Sequence, residues 1–279
     1  MPQSSIATHL PELRVLPLTH LLPHEHTDPR RATPLVERLR RDGVLRNPPV
    51  VAPLDEGRRG YVVLDGANRV AACQALGIPR IVAQVVDYRA VRLEVWHHAL
   101  SGCDPSALLR AITEVKGIEI GDTDPTTAEA LLVRREALLC FTLEDRCRTL
   151  RGGHDARAQI ALLNQVVQRY QEVATVQRTL AADLGQARAE LGDVVALALF
   201  PRFEAVEVAD LARRGILLPA GITRHILPLR ALHINYPLAA LHDHQSLDEQ
   251  QAQLERWVHD CLTFGKLRIY AEPTALFDE

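Results

Sequence analysis

The segment from Val63 to Arg69 combines, at one chain reversal, residue types that bind phosphate. Asp65 and Gly66 follow an apolar run typical of a buried strand, and a helix is predicted directly after them. A helix N-terminus presents unpaired backbone N–H groups and a positive dipole end to an anion. Arg69 could bind phosphate through two hydrogen bonds, and Asp65 could hold Mg²⁺ bridged to phosphate oxygens. The simpler alternative is that Asp65 only caps the helix and that Arg69 is a surface charge.

A second polar stretch lies between a short predicted strand, Arg14–Leu18, and the first predicted helix. Glu25 stands between His24 and His26, and Asp28 and two arginines follow closely. Loops on a rigid scaffold often carry functional groups. A carboxylate among such neighbours can serve as a general base, although a solvated polar loop would have the same composition.

A third stretch, Leu218 to His225, follows a predicted helix and leads into a strand-like run. Gly221 gives the backbone freedom, and Thr223, Arg224 and His225 offer a hydroxyl, a guanidinium and an imidazole within three residues. These groups suit a carboxylate or a phosphate. An ordinary polar turn is the alternative interpretation.

The elements that must position these groups form a small α/β unit in the first hundred residues. Apolar spacing predicts a helix over Thr33–Arg41, and Gly43 ends it. Strands are predicted at Pro49–Leu54 and Gly60–Leu64. A helix over Asn68–Leu76 and a β-branched strand, Arg80–Val86, complete the unit, which is α/β in class.

The rest of the chain is predicted to be α+β. We expect a domain boundary at the turn-rich connector Gly117–Thr127, which gives a nucleotide-binding domain over 1–117 and a substrate-binding domain over 118–279. The predicted elements of the second domain are a hairpin, a strand and three long helices. They are the hairpin Ala137–Leu143 and Arg146–Leu150, the strand Val194–Phe200, and the helices Asp155–Ala174, Glu204–Arg214 and Ser246–Leu262.

Composition excludes several classes of protein. Of 279 residues 47% are hydrophobic and 24% charged, which is typical of a globular chain. The net charge of −3 gives no overall basic excess of the kind that DNA-backbone binding favours. No signal peptide is evident, and no apolar run reaches the roughly 18 residues that a membrane span needs. The five cysteines are odd in number and lack Cys-x-x-Cys spacing, so reduced thiols and a cytoplasmic location are expected.

Together the motifs resemble a known superfamily. Leu16 to Asp87 is similar to the ParB/sulfiredoxin-like N-terminal domain, through His24-Glu25, the strand entry Arg46 to Val50, and the turn Leu64 to Arg69. Within that superfamily the chain most resembles the free L-serine kinases, including those of siderophore and cysteine precursor pathways. The similarity extends to the Gly-Ile-Thr-Arg-His element within Leu218–Pro237, so it covers most of the chain.

Differences between this sequence and the related families narrow the choice of function. Ala67 stands where sulfiredoxins carry their nucleophilic cysteine. No helix-turn-helix pattern follows Thr127, although partition-type ParB proteins carry one. Many serine kinases have histidines where this chain has Ala67 and Asn68, so nucleotide affinity and preference are open.

The resemblance implies transfer of a phosphoryl group from ADP or ATP, with Mg²⁺, to the hydroxyl of free L-serine, giving O-phospho-L-serine. Glu25 would be the general base, and Asp65 would orient Mg²⁺ and the phosphoryl group. The implied nucleotide-binding residues are Gly66, Ala67, Asn68 and Arg69. The implied substrate-binding residues are His24, Trp96, Thr223, Arg224 and His225, where Trp96 could equally be a core residue.

Two other functions stay open at this point. A ParB-like regulator could bind DNA or a nucleotide without turnover, and a related kinase could act on another small hydroxylated metabolite. The sequence chooses neither ADP nor ATP, and it indicates no oligomeric state.

Overall fold

The computed structural model describes residues 10–55, 57, 59–143, 146–242 and 245–270. The first half of the chain is rich in short strands. Its elements are β1 (Glu12–Pro17), β2 (Leu21–Pro23), α1 (Pro29–Asp42), β3 (Val44–Leu45), β4 (Val50–Pro53), β5 (Tyr61–Asp65), α2 (Ala67–Ala75), β6 (Arg80–Val85), β7 (Arg92–Val95) and β8 (His97–Ser101).

The second half alternates helices and strands. Its elements are α3 (Pro105–Thr113), β9 (Glu119–Thr123), α4 (Pro125–Val133), β10 (Leu139–Leu143), β11 (Arg146–Arg151), α5 (Ala156–Val173), β12 (Thr175–Thr179), α6 (Leu184–Leu191), β13 (Val194–Leu199), α7 (Ala205–Arg213), β14 (Thr223–Ile226), β15 (Tyr236–Pro237) and α8 (Leu247–Thr263).

These strands form two larger sheets and two short ribbons. The first sheet is mixed and has the order β1-β6-β4-β5-β2, in which β5 runs antiparallel to β4 and parallel to β2. The second sheet is antiparallel and has the order β12-β8-β13-β10-β11-β9. The ribbons pair β14 with β7 and β15 with β3. The mixed α/β class predicted from the sequence is confirmed.

The first sheet is buried on both faces, and its strands alternate between two hydrophobic clusters. Val50, Ala52 and Val62 belong to the cluster shared with the second sheet. Val51 and Val63 belong to the other cluster, beneath α2 and the last described elements of the chain. Successive side chains of a strand point to opposite faces, so near-continuous apolar runs are what this position requires. This double burial fixes the C-terminal end of β5, where Asp65 stands.

Elements from one half of the sequence pack with elements from the other half. β8 lies inside the second sheet, whereas β15 pairs with β3 and α8 packs beside β1. A division into domains over 1–117 and 118–279 stays a prediction. No helix among the described residues combines the length and the apolar character that a membrane crossing requires.

Two sequence-based boundaries differ from the structure. The first helix begins at Pro29 instead of Thr33, because the Asp28 side chain accepts a hydrogen bond from the Arg30 N–H and proline suits the first helical turn. The connector predicted over Gly117–Thr127 contains β9 and the start of α4. β9 has little apolar alternation because it is a largely exposed edge strand held by pairing with β11.

A buried histidine joins the second sheet to its covering helix. The Nδ1 atom of His98 lies 2.6 Å from the hydroxyl oxygen of Tyr170, and its ring stands edge-on to Phe200 at 4.9 Å. Burial and the nearby charges of Arg178 and His97 lower the pKa of His98 to about 3. The neutral ring therefore belongs to the folded state.

This pKa predicts acid sensitivity of folding. Between pH 6.5, its ordinary pKa, and about 3, the unfolded chain binds a proton at His98 that the folded chain does not. The free energy of unfolding should therefore fall with decreasing pH by up to about 1.4 kcal/mol per pH unit from this group. Denaturant unfolding of His98→Gln should give a shallower slope, by about one proton, than the intact chain. His154→Gln, at an exposed position, should keep the original slope, and equal slopes for all three proteins would contradict the assignment.

Candidate active site

All eleven residues that the sequence singled out line one cavity of about 460 Å³, in the size range of small-molecule sites. The cavity opens between the C-terminal end of β5, the loop after β2 and the ribbon of β7 and β14. The residues are His24, Glu25, Asp65, Gly66, Ala67, Asn68, Arg69, Trp96, Thr223, Arg224 and His225. The structure thus brings together three segments that are far apart in sequence.

Glu25 connects the loop after β2 to the loop before β14. Its Oε2 accepts a hydrogen bond from the Gly221 N–H at 2.7 Å, and its Oε1 accepts from the Thr223 N–H at 2.8 Å. The Thr223 hydroxyl lies 2.5 Å from the same Oε1. The backbones are also paired, since the Leu218 N–H donates to the His24 carbonyl and the His26 N–H to the Leu218 carbonyl. The carboxylate is therefore held in one orientation at the cavity wall.

His24 lies behind this carboxylate and is buried. Its Nδ1 is 2.6 Å from the Val63 carbonyl oxygen of β5, and its Nε2 is 2.8 Å from the Thr223 hydroxyl oxygen. The ring thereby connects the first sheet to β14. In this structure the polar atoms of His24 face protein groups, and its predicted contact with substrate stays a prediction.

The turn after β5 depends on Gly66. Its φ of 92° lies in the left-handed region, and a Cβ there would stand 3.0 Å from the Pro49 Cα and 3.1 Å from the Arg69 guanidinium carbon. No side chain caps the N-terminus of α2. The first N–H groups of this helix are therefore available to an anion at the cavity.

Arg69 braces the same turn. Its Nη1 donates to the carbonyls of Asn47 and Pro48 at 3.0 and 2.8 Å, and its Nη2 donates to Asp65 Oδ2 at 2.8 Å. A second guanidinium, that of Arg230, also donates to Asp65 Oδ2. Burial opposes ionisation of this carboxyl, but the charges and hydrogen bonds of the two arginines outweigh it and lower the pKa of Asp65. Asp65 is thus an ionised, oriented carboxylate.

Asn68 and Ala67 occupy the first turn of α2. Asn68 Oδ1 accepts a hydrogen bond from the Asp28 N–H at 3.0 Å, which connects α2 to the start of α1. Ala67 contributes only its backbone N–H and a methyl group to the cavity wall. Their predicted contact with a nucleotide stays a prediction, and it would be made mainly by backbone groups.

The opposite wall is aromatic and basic. The guanidinium of Arg224 lies 4.7 Å from the ring centroid of half-buried Trp96 and donates to Glu94 Oε2 at 2.8 Å. The Nε2 of His225 is 2.9 Å from the Tyr88 hydroxyl oxygen. Burial, with the charge of His24, lowers the pKa of His225 to about 3, so this ring is neutral near pH 7. Arg224 is therefore the cation of this wall, whereas His225 lines the cavity as a neutral ring.

Four further arginines line the cavity: Arg31, which the sequence already placed near Glu25, and Arg38, Arg178 and Arg230, which sequence reasoning missed. Arg178 projects from β12 across Gly221, so closely that a Cβ on this glycine would overlap its Nη2. No hydrogen-bond acceptor within the described parts of the chain engages its guanidinium. Partial burial, together with the charge of Arg31, lowers the pKa of Arg178, but a guanidinium stays charged at neutral pH. In the sequence, the only indication of this close approach is the glycine at position 221, which has no side chain to occupy the space.

The cavity offers few ligands to a metal ion. No group of three histidine, cysteine or carboxylate side chains in the described ranges could hold one. Mg²⁺ in phosphoryl-transfer sites, however, is often bound by one or two carboxylates and the phosphates of the substrate. The Oδ1 of Asp65 has no hydrogen-bond donor among the described residues, so the residues present fit an ion that arrives with a nucleotide.

Gly66 provides a test of this local geometry. An alanine at either Gly66 or Gly43 must adopt a positive φ, at a cost of about 1–2 kcal/mol. Gly43 has open space around its Cβ position, whereas Gly66 does not. Gly66→Ala should therefore lose about 1–3 kcal/mol more of unfolding free energy than Gly43→Ala in denaturant titrations. Equal losses would show that the close approach of Pro49 and Arg69 is not a constraint.

Comparison with known proteins gives relatives along most of the chain. A search of protein-family models finds no match. An ATP-dependent L-serine kinase of Staphylothermus marinus is 27% identical over 251 residues, 86% of this chain and 96% of the relative. The ATP-dependent L-serine kinase SbnI of Staphylococcus aureus is 23% identical, over 96% of this chain and 97% of its own. The ADP-dependent L-serine kinase SerK of Thermococcus kodakarensis is 23% identical, over 86% and 98%.

Solved structures give the same result for the fold. A free serine kinase in complex with AMP superposes with a TM-score of 0.72 at 21% identity, over 86% of this chain and 98% of that protein. The chain therefore has the fold of the free serine kinases, and the similarity to them that the motifs indicated is confirmed over most of its length.

Proposed function

We propose that this protein transfers a phosphoryl group from a nucleotide to the hydroxyl of free L-serine and releases O-phospho-L-serine. The observation that carries the proposal is that the Glu25 carboxylate and the turn at Asp65 and Gly66 line the same cavity. The prediction of an L-serine kinase is confirmed at the level of function by curated relatives that have this activity in their names and match most of the chain.

The nucleotide phosphates would bind at the N-terminus of α2. The open backbone N–H groups there and the positive dipole end favour an anion, and no side chain competes for them. Arg69 is already engaged by two carbonyls and by Asp65, so its main contribution is to hold the turn in shape. Arg178 is the better cation for the transferred phosphoryl group, since no acceptor in the described structure engages it.

Serine would bind against the wall of Trp96 and Arg224. Glu94 and the Trp96 ring hold the Arg224 guanidinium from two sides, and its remaining N–H groups can take a carboxylate. A fixed guanidinium orients the small substrate, which is most of what a kinase must do for an acceptor of this size.

The chemical step then needs a base for the serine hydroxyl. The serine O–H bond breaks and its proton passes to Glu25, while the serine oxygen forms a bond to phosphorus and the bond to the leaving nucleotide oxygen breaks. One positioned base contributes about 10²- to 10⁴-fold to the rate. Positioning and charge neutralisation supply most of the remainder in phosphoryl transfer.

Mg²⁺ would supply charge neutralisation on the phosphates, and Asp65 would hold it through Oδ1. The donor is ADP or ATP, because the relatives include enzymes named for each. A cytoplasmic location stays a prediction from the cysteine pattern, and service in cysteine or siderophore precursor synthesis stays a prediction from the resemblance.

The proposal is tested by incubating the purified chain with Mg²⁺, L-serine and either ADP or ATP, and measuring phosphoserine by mass spectrometry. Product should form with at least one donor. In the same assay Glu25→Gln should lower kcat by about 10²- to 10⁴-fold, because the amide keeps the shape but takes up no proton. Nucleotide affinity measured by calorimetry should change little. Nucleotide binding without any serine-dependent turnover would instead favour the ParB-like regulator.

Arg178 gives a second test. Arg178→Met keeps the length of the side chain but removes the cation, so kcat/KM for the nucleotide should fall by at least about 10-fold, equivalent to roughly 1.4 kcal/mol. Arg110→Met, on the exposed side of α3 and outside the cavity, is the matched control and should leave kcat/KM unchanged. An Arg178→Met enzyme with normal kinetics would remove this residue from the site.

A further inference from the structure

We infer that His24, Thr223 and Glu25 form a hydrogen-bonded chain that stores the proton taken from the serine hydroxyl. The inference rests on the proposed function and deepens it. His24 and Thr223 act through Glu25 and are positioning residues.

The first step fixes the tautomer of His24. Its Nδ1 lies 2.6 Å from the carbonyl oxygen of Val63, and a carbonyl oxygen can only accept. Nδ1 therefore carries a hydrogen. In the neutral ring the other nitrogen, Nε2, must then be an acceptor.

The second step concerns the hydroxyl between the two titratable groups. The Oγ1 of Thr223 lies 2.8 Å from His24 Nε2 and 2.5 Å from Glu25 Oε1. When the carboxylate is ionised and the ring is neutral, the threonine hydroxyl is the only hydrogen for both contacts. It can point to Oε1 or to Nε2, and the other contact then brings two lone pairs together. In that protonation state the two contacts are one hydrogen short.

The third step supplies that hydrogen. When Glu25 accepts the serine proton, a hydrogen lies between Oε1 and Oγ1, and the Thr223 hydrogen turns to His24 Nε2. In a second arrangement of the same hydrogens, Glu25 is ionised and His24 is protonated. The His24 Nε2 then donates to Thr223 Oγ1, and it lies 3.7 Å from Glu25 Oε1. Either arrangement satisfies both contacts, and the proton count rises by one, the proton lost from serine.

The chain also explains how this particular carboxylate can act as a base. Two backbone N–H groups, from Gly221 and Thr223, already donate to Glu25, one to each carboxylate oxygen. A second acceptor connected through a hydroxyl gives the incoming proton an additional place. Fully satisfied buried hydrogen-bond chains are stabilised beyond their separate pairs.

The groups around His24 leave it as the ring that takes the charge. His225 stands edge-on to it at 5.2 Å and is neutral, because its burial lowers the pKa of His225 to about 3. The Tyr88 hydroxyl contacts His225, and burial, with the charge of Glu25, raises the pKa of Tyr88 well above its usual value, so it stays neutral as well. Further charged groups also line this cavity: Asp65 with its two arginines, Arg178, Arg31 and Asp28.

The test compares Thr223→Val with Thr223→Ser. Valine removes the hydroxyl and keeps the shape and the backbone N–H to Glu25, whereas serine keeps the hydroxyl. In single-turnover experiments Thr223→Val should lower the rate of phosphoserine formation by about 10- to 100-fold, part of the contribution of a general base, with serine KM changed less than about 3-fold. Thr223→Ser should stay within about 3-fold of the unmodified enzyme.

A purely structural role would not change the number of hydrogens in motion. For the unmodified enzyme, a plot of the rate against the fraction of D₂O should be curved, which indicates two hydrogens in motion. For Thr223→Val the same plot should be a straight line. A Thr223→Val enzyme with an unchanged rate, or with a slow rate and an unchanged curve, would overturn the inference.

A measurement without turnover separates this inference from the proposed function. In the substrate-free protein labelled with ¹⁵N-histidine, the NMR signal of His24 Nε2, recorded at one fixed pH, should shift in Thr223→Val because the ring loses its hydroxyl partner, and should stay in place in Thr223→Ser. Unmodified protein that makes no phosphoserine would end the proposed function. A His24 signal indifferent to Thr223→Val would end the proton chain, whatever the activity.

Discussion

The fastening of Glu25 to the loop before β14 is the interaction on which the site depends. Two backbone N–H groups and one hydroxyl, from residues 196 and 198 positions away in sequence, converge on one side chain. The carboxylate thus joins two walls of the cavity and is also part of its lining. In the proposed mechanism, a base held by the segment that also carries Arg224 would move with the wall that binds serine, which would keep the reacting groups in register.

The charge of the cavity differs in sign from that of the chain. The lining contains six arginines (Arg31, Arg38, Arg69, Arg178, Arg224 and Arg230) and three carboxylates (Glu25, Asp28 and Asp65). The chain as a whole has a net charge of −3. A local positive cleft in a mildly acidic protein attracts small anions and is poorly suited to a long polyanion. The low overall charge and the anion site are therefore compatible, and they favour nucleotide over nucleic acid.

Much of the site could be predicted because its chemistry is local in sequence. Two motifs can each be recognised from a few consecutive residues: a strand that ends in Asp-Gly before a helix, and a carboxylate between two histidines. Arg178 and Arg230 were missed because their relevance is tertiary: one projects from an edge strand of the second sheet, and the other reaches Asp65 across 165 positions. The start of α1 and the strand β9 were missed for a simpler reason, since a cap and an exposed edge strand leave little apolar periodicity.

The replacement of the expected histidines by Ala67 and Asn68 changes how the phosphates can be held. Asn68 gives its oxygen to the Asp28 N–H and so stabilises the junction of α1 and α2. Backbone N–H groups and guanidinium groups are then left to bind phosphate, and neither kind of group changes its charge near neutral pH. An imidazole in the same place would titrate in that range. In this chain the phosphate site should therefore be insensitive to pH near neutrality, which leaves proton uptake to Glu25 and the residues hydrogen-bonded to it.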